Sequence, residues 1–243
     1  MVGTGMAGTG MAGTGMTEPL DHAGLYRLMT WLSPSYPVGA FSYSHGLEYA
    51  VESGTVTDAA TLERWLRDLL LLGSGRNDAC LFRHAFEAAD DPEKLLEVSI
   101  LAAAFVASSE RHLETTAQGR AFAEATRDAW PCAALDRLLS VAAGPLSYPV
   151  VVAVATAGHG LPLAASLHAY LHGFAANIVS AGVRLIPLGQ SDGQRVTAAL
   201  EPAIAKTAVL AQTMALEDLG GASVLADLAA MKHETQYTRL FRS

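Results

Sequence analysis

Residues Trp31 to Tyr49 read WLSPSYPVGAFSYSHGLEY, with two prolines, two glycines, three tyrosines, four serines and a histidine, in a chain otherwise dominated by alanine and leucine. No core helix needs that mixture. Pro34 and Pro37 each fix φ and remove a backbone donor, and each pushes the residue before it, Ser33 and Tyr36, out of the helical region. The backbone must run extended there. Gly39 permits a sharp reversal, and Ser42 or Ser44 can cap a new helix through Gly46, Leu47, Glu48 and Val51. The stretch thus punctuates an apolar pattern that is helical on both sides of it.

That pattern continues along the chain. Leu25, Leu28, Met29 and Leu32 mark a short helix ending at Pro34; Leu62, Trp65, Leu66, Leu69 and Leu70 mark another, begun by Thr57 or Asp58 and ended at Gly73. Further helices are expected over 77–89, from Asp91-Pro92 through Phe105, over 110–129 up to Pro131, and over 133–143. Ser108 and Ser109 are expected to loosen the chain between two of them. VVVAVAT, within 150–157, has strand propensity, but no partner strand is visible and helix is preferred. Pro162 to Ile186 forms the longest expected helix, rich in Ala, Gly and Ser, which suits an interior or dimer-facing position.

Composition bounds the possibilities. With 243 residues, 51% hydrophobic and only 16% charged, the chain can bury one sizeable core. A net charge of −8 with 16 basic residues argues against a nucleic-acid surface. Between Arg137 and Arg184 there is no charged side chain. Gly144, Pro145, Pro149, Gly158, Gly160 and Pro162 nevertheless cut that run into pieces shorter than a membrane span, and His168, His172 and Asn177 interrupt the longest. Buried central helices are expected and no membrane is implied. Cys80 and Cys132 lack metal-type spacing and read as free cytosolic thiols. The Gly/Thr/Met repeat at the N-terminus contains G-x-G-x-x-G, but no strand can precede it, so the dinucleotide match is spurious. Residues 1–19 are expected to be a disordered tail, with Met16 as a second candidate start.

Catalytic patterns fail one after another. None of the three lysines follows a glycine, so no phosphate-binding loop exists. Ser44 beside His45 suggests a nucleophile, but Ser42 occupies the place of the first glycine in G-x-S-x-G. His168 and His172 stand at i and i+4, yet Ala169 follows His168 where a zinc protease needs glutamate. Two imidazoles suggest a nickel-binding alternative without completing a site. No catalytic residue and no directly bound cofactor is expected. The end of the chain differs: Lys232, Arg239 and Arg242 alternate with Tyr237, Leu240 and Phe241, residue types favoured as interface anchors. Its two readings are a partner-docking tail at 231–243 and a tail folded back on its own core.

The opening segment closely resembles the UreF signature W-L-S-P-[SA]-[FY]-P-x-G-[GA]-F-[ST]-Y-S-H-G-L-E. LIPLGQSDGQR at 185–195 and MKHETQYTRLFRS at 231–243 look like further stretches of the same family in the same order, and ETTAQGRA at 114–121 is a weaker match. The resemblance spans about Leu25 to Ser243. It implies an all-α, helical-bundle-like domain of about eight to ten helices over 20–230. It also implies a cytoplasmic, homodimeric urease accessory protein that binds UreD (UreH) and the GTPase UreG for nickel insertion into apo-urease. Nickel and GTP then belong to the partner complex. Tyr237, Arg239, Leu240, Phe241 and Arg242 are the expected UreD contacts. Tyr36, Gly39, Tyr43, His45, Glu48, Arg184, Gln190, Asp192 and Gln194 are the expected contacts to UreG or across the dimer. Two side chains carry more specific expectations: Glu48 can fix His45 or accept a partner's base, and Arg184 needs a buried partner or an interface.

Overall fold

Helices account for the regular structure of the described residues. The computed structural model describes residues 19–142 and 144–243, so the expected disordered tail lies, apart from Pro19, outside the described residues. Twelve α-helices occur among the described residues, and no strand. They are α1 (His22–Trp31), α2 (Leu47–Glu52), α3 (Ala59–Leu72), α4 (Ser74–Glu87), α5 (Pro92–Ala104), α6 (Ser109–Ala129), α7 (Ala133–Val141), α8 (Tyr148–Gly158), α9 (Leu163–Leu185), α10 (Gln190–Ala199), α11 (Glu201–Ala211) and α12 (Val224–His233). All but α2 and α7 have ten residues or more. The all-α class read from the sequence is the class observed.

Local chemistry fixes the helix starts. Asp58 accepts from the Thr61 N–H at 2.8 Å while Thr61 Oγ1 accepts from the Asp58 N–H at 2.9 Å, a reciprocal cap that selects Asp58 over Thr57. Asp91 caps α5 through the N–H groups of Glu93 and Lys94, with Pro92 preset for the first turn. The helical pattern breaks between Ala104 and Ser109 as expected, and Ser108 caps α6 by accepting the Arg111 N–H at 3.2 Å. The helix expected from residue 77 begins at Ser74, directly after Gly73.

The charge-free run becomes the centre of the molecule. Every residue from Pro149 to Thr156 in α8 is buried, enclosed by α4, α6 and α7. A helix apolar on all sides belongs in such a position, which is why β-branched valines there do not make a strand. On α9 one stripe is buried, including Leu167, Tyr170, Leu171, Ala175, Ile178 and Gly182, while His168 and His172 face outward. α6 approaches the chain before α8 so closely that a Cβ on Gly119 would lie 2.0 Å from the Leu146 carbonyl oxygen. Trp31, Tyr36, Phe122 and Trp130 pack edge-on or tilted at the end of this core. No helix among the described residues is long and apolar enough to cross a membrane.

Candidate functional site

The segment after α1 runs irregularly through Gly39, whose φ of +72° gives the expected reversal, into a 3-10 turn at Ala40–Ser42. α2 then starts behind a second reversal, where His45 and Gly46 have φ of 61° and 77°. The helix cap is therefore Gly46 and not Ser42 or Ser44, although the Ser44 hydroxyl does accept the Glu48 N–H at 3.3 Å. A non-glycine residue at positive φ is uncommon, and here the turn carries the His45 ring inward.

The C-terminal segment lies along this turn. Arg242 N–H donates to the Ser42 carbonyl at 2.8 Å, and Ser44 N–H donates to the Ser243 carbonyl at 2.7 Å. The Ser44 hydroxyl donates to the same Ser243 carbonyl, so this serine is buried and engaged in holding the tail. Glu48 accepts the N–H groups of Leu240 at 2.7 Å and Phe241 at 3.0 Å. It does not fix His45; its other contact is a base of its own chain, His233 Nε2 at 3.0 Å. His233 Nδ1 lies 2.6 Å from Glu110, whose second oxygen accepts from Arg239 at 2.7 Å. Both segments are thereby tied to α6 and α12.

Beneath the seam lies a second polar group. His45 sits 3.5 Å from Glu114 and 2.6 Å from Ser74 Oγ. Burial, reinforced by the Arg111 charge, lowers the His45 pKa to about 4, so at neutral pH its approach to Glu114 is a hydrogen bond between a neutral ring and a carboxylate, not an ion pair. Burial opposes ionisation of Glu114, but Arg111 at 2.5 Å, His45 and the Ser243 hydroxyl outweigh it and hold the carboxyl well below its usual range. Asp78 accepts from the Tyr170 hydroxyl at 2.8 Å, and burial raises its pKa to about 6 against the pull of Arg111. His45, Asp78, Arg111 and Thr115 line both of two cavities, of about 340 and 220 Å³, that meet at this group.

The remaining expected site residues fall into two sets. Tyr36 and Tyr43 point inward, Tyr36 donating to or accepting from Thr126 Oγ1 at 2.8 Å, so with His45 and Glu48 they shape the segment from within. Phe41 is 66% exposed, and Tyr237 and Leu240 are also on the surface, whereas Phe241 is buried. Arg184 has no carboxylate partner: it is exposed, donates to the Phe41 carbonyl at 2.9 Å, and lies 3.7 Å from the ring centroid of exposed Phe41 and 4.4 Å from that of Phe241, the buried partner that the sequence asked for. Stacking on two rings replaces the ion pair. Arg242 lies 5.8 Å from the Tyr43 ring centroid. Gln190 and Gln194 are exposed on α10, and Asp192 caps that helix by accepting the Gly189 N–H at 3.1 Å. His168 and His172 are exposed, with His168 Nδ1 3.0 Å from the Ala164 carbonyl of its own helix. Among the described residues no three His, Cys, Asp or Glu side chains are grouped as metal ligands. Sequence reasoning missed Glu110, Arg111 and Asp78; a glutamate and arginine side by side on an amphipathic helix read as solvated unless the tail is known to cover them.

Comparison with known protein sequences gives the family of the chain. The UreF family model matches residues 56–201. A urease accessory protein UreF of Rhodopseudomonas palustris (strain BisB18) is 56% identical over 223 residues, 91% of this chain and 92% of its own length. The protein of that name from Bradyrhizobium sp. (strain BTAi1 / ATCC BAA-1182) is 57% identical over 226 residues, 92% and 94% of the two chains. One from Bradyrhizobium diazoefficiens is 55% identical over 223 residues, 91% and 92%. With a family model covering more than half the chain and relatives aligned along nearly all of it, this chain belongs to the UreF family.

Proposed function

We propose that this protein is a non-enzymatic accessory factor of urease maturation, a cytoplasmic homodimeric scaffold that bridges UreD (UreH) and the GTPase UreG so that nickel enters apo-urease. It modulates when UreG hydrolyses GTP; nickel and GTP are cargo and fuel of the partner complex. The observation that carries this reading is the seam, where the signature segment and the C-terminal segment, distant in sequence, are joined through Glu48 and Ser44. The join leaves Phe41, Arg184, Tyr237 and Leu240 exposed around it. Aromatic and arginine anchors on a rigid support lower the ordering cost of association. Within the same reading, nickel passes through the interior by way of the two cavities that share His45, Asp78, Arg111 and Thr115.

Co-purification tests the reading. Full-length protein is expected to retain UreD and, with UreD present, UreG, and the GTPase rate of UreG is expected to change in that complex. If neither protein is retained and urease activation proceeds equally without this chain, the reading is wrong.

A further inference from the structure

Three buried side chains, Glu48, Glu110 and His233, hold the C-terminal segment together with the exposed Arg239. His233, the last residue of α12, is fully buried and faces a carboxylate oxygen with each ring nitrogen: Glu110 Oε2 at 2.6 Å and Glu48 Oε2 at 3.0 Å. A carboxylate accepts and does not donate, whereas neutral imidazole offers one donor and one lone pair. Only the imidazolium satisfies both contacts. The remaining bonds of the two carboxylates lead to the tail: Glu48 takes the Leu240 and Phe241 N–H groups, and Glu110 takes Arg239.

We propose that His233 is a proton-operated latch for residues 239–243: protonated, it aligns Glu48 and Glu110 to grip the tail, and deprotonated, it lets the tail go. With the imidazolium in place, two carboxylates face two cations, His233 and Arg239. Removing its proton leaves two buried carboxylates with only the exposed Arg239 as counter-charge and sets a lone pair against one carboxylate oxygen, a costly arrangement for the two groups that bind the tail. The charged neighbours come from every element packed against the ring. Glu48 belongs to α2, Glu110 to α6 and Arg239 to the tail; His45, Arg111 and Glu114 lie in the next layer, bonded among themselves and to Ser243. Just past the end of α12, Glu234 is turned to the Ser109 N–H at 3.0 Å, and the helix C-terminus favours positive charge on His233. The sign follows: grip is complete when the ring is protonated and is lost as pH rises through its titration. The link from latch to partner capture rests on the proposed role of this segment in binding UreD.

Nitrogen NMR of the full chain tests the latch without any partner. Both His233 ring nitrogens are expected to carry protons while the tail is seated. Across the ring's titration, the Leu240 and Phe241 amides are expected to shift with the same midpoint and lose about tenfold in exchange protection, once corrected for intrinsic rates. His233→Gln, which donates only from its one amide nitrogen and does not titrate, is expected to remove that midpoint. Glu110→Gln keeps the shape and is expected to move the midpoint to lower pH, which serves if His233→Gln does not fold. A ring that is neutral while the tail is seated, or tail amides indifferent to the ring's titration, overturns the latch. Neither result bears on co-purification with UreD, so the two readings fail separately.

Discussion

The interior around α8 and the seam around Glu48 hold the same chain together by opposite means. Around α8, stability comes from contact area: Pro149 to Thr156 are buried against α4, α6 and α7 without a formal charge, each large aliphatic contributing about 1.5–3 kcal/mol. At the seam, stability comes from matched donors and acceptors: among Glu48, Glu110 and His233 each leaves a buried orphan if another is removed, and Arg239 adds its charge from the surface. Area-based packing tolerates small losses and resists added volume. A polar relay is indifferent to modest volume but fails when one partner is lost. The first suits a permanent frame and the second a part that changes partners.

The largest expected effect is on the frame. Gly119→Leu places a side chain against the Leu146 carbonyl, which even a Cβ would approach to 2.0 Å. The α6 to α8 packing must open, and a loss of more than about 3 kcal/mol is expected in denaturant unfolding. A variant as stable as the parent would show that this contact is not tight. Next comes Glu48→Ala, which strips the acceptor from His233, Leu240 and Phe241. A cost of about 3 kcal/mol is expected, accompanied by faster proteolysis of the C-terminal segment with the helical content kept. Loss of all helical signal would mean that the seam is part of the frame.

A pair of pH-dependent effects separates the two titrating groups under the seam. Asp78 is held at about 6 against an ordinary 3.8, so the folded state prefers its protonated form and stability falls as pH rises from about 4 through about 6. The advantage of Asp78→Asn over the parent is therefore expected to grow with pH, by about 3 kcal/mol between acid and neutral pH. His45 is lowered from 6.5 to about 4, so stability is lost as pH falls through that interval. The advantage of His45→Asn is expected to grow in the opposite direction, and asparagine also tolerates the positive φ of 61°. Melting curves at a series of pH values read both slopes; equal slopes would remove the assignment. Smallest of all for stability is Arg184→Ala. Its guanidinium is exposed and stacked on rings, so a loss under about 1 kcal/mol is expected. Recruitment of UreG or dimerisation is expected to fall in the same variant.

The frame is legible in the sequence because its signal is local. Apolar spacing at Leu62 to Leu70, the Asp91-Pro92 start and the charge-free run before Arg184 each specify a helix without reference to anything distant. The valines of α8 are the exception: their strand propensity is overruled by the absence of a visible partner strand together with the all-helical fold that the family resemblance implies. Beyond Ile186 the periodic signal weakens, and spacing alone does not delimit α10, α11 and α12, which are short, Ala-rich helices. The seam is legible only as two motifs. Its contacts join Glu48 to Phe241 and Glu110 to His233, pairs whose partners are more than a hundred positions apart. Nothing in local spacing shows that Glu48 turns toward the tail and away from His45, or that Arg184 needs no carboxylate because Phe41 and Phe241 flank it.

The claim that the frame carries the fold while the seam carries assembly is tested most directly at Gly39. Its φ is +72° and a Cβ there would meet no atom within 4 Å, so Gly39→Val adds backbone strain of about 1–2 kcal/mol and no clash at the Cβ. Thermal melting and capture of UreD and UreG are to be measured on the same preparation. The account predicts a melting temperature lowered by only a few degrees and a complex largely lost. A melting temperature that collapses while the remaining folded protein binds normally would contradict it.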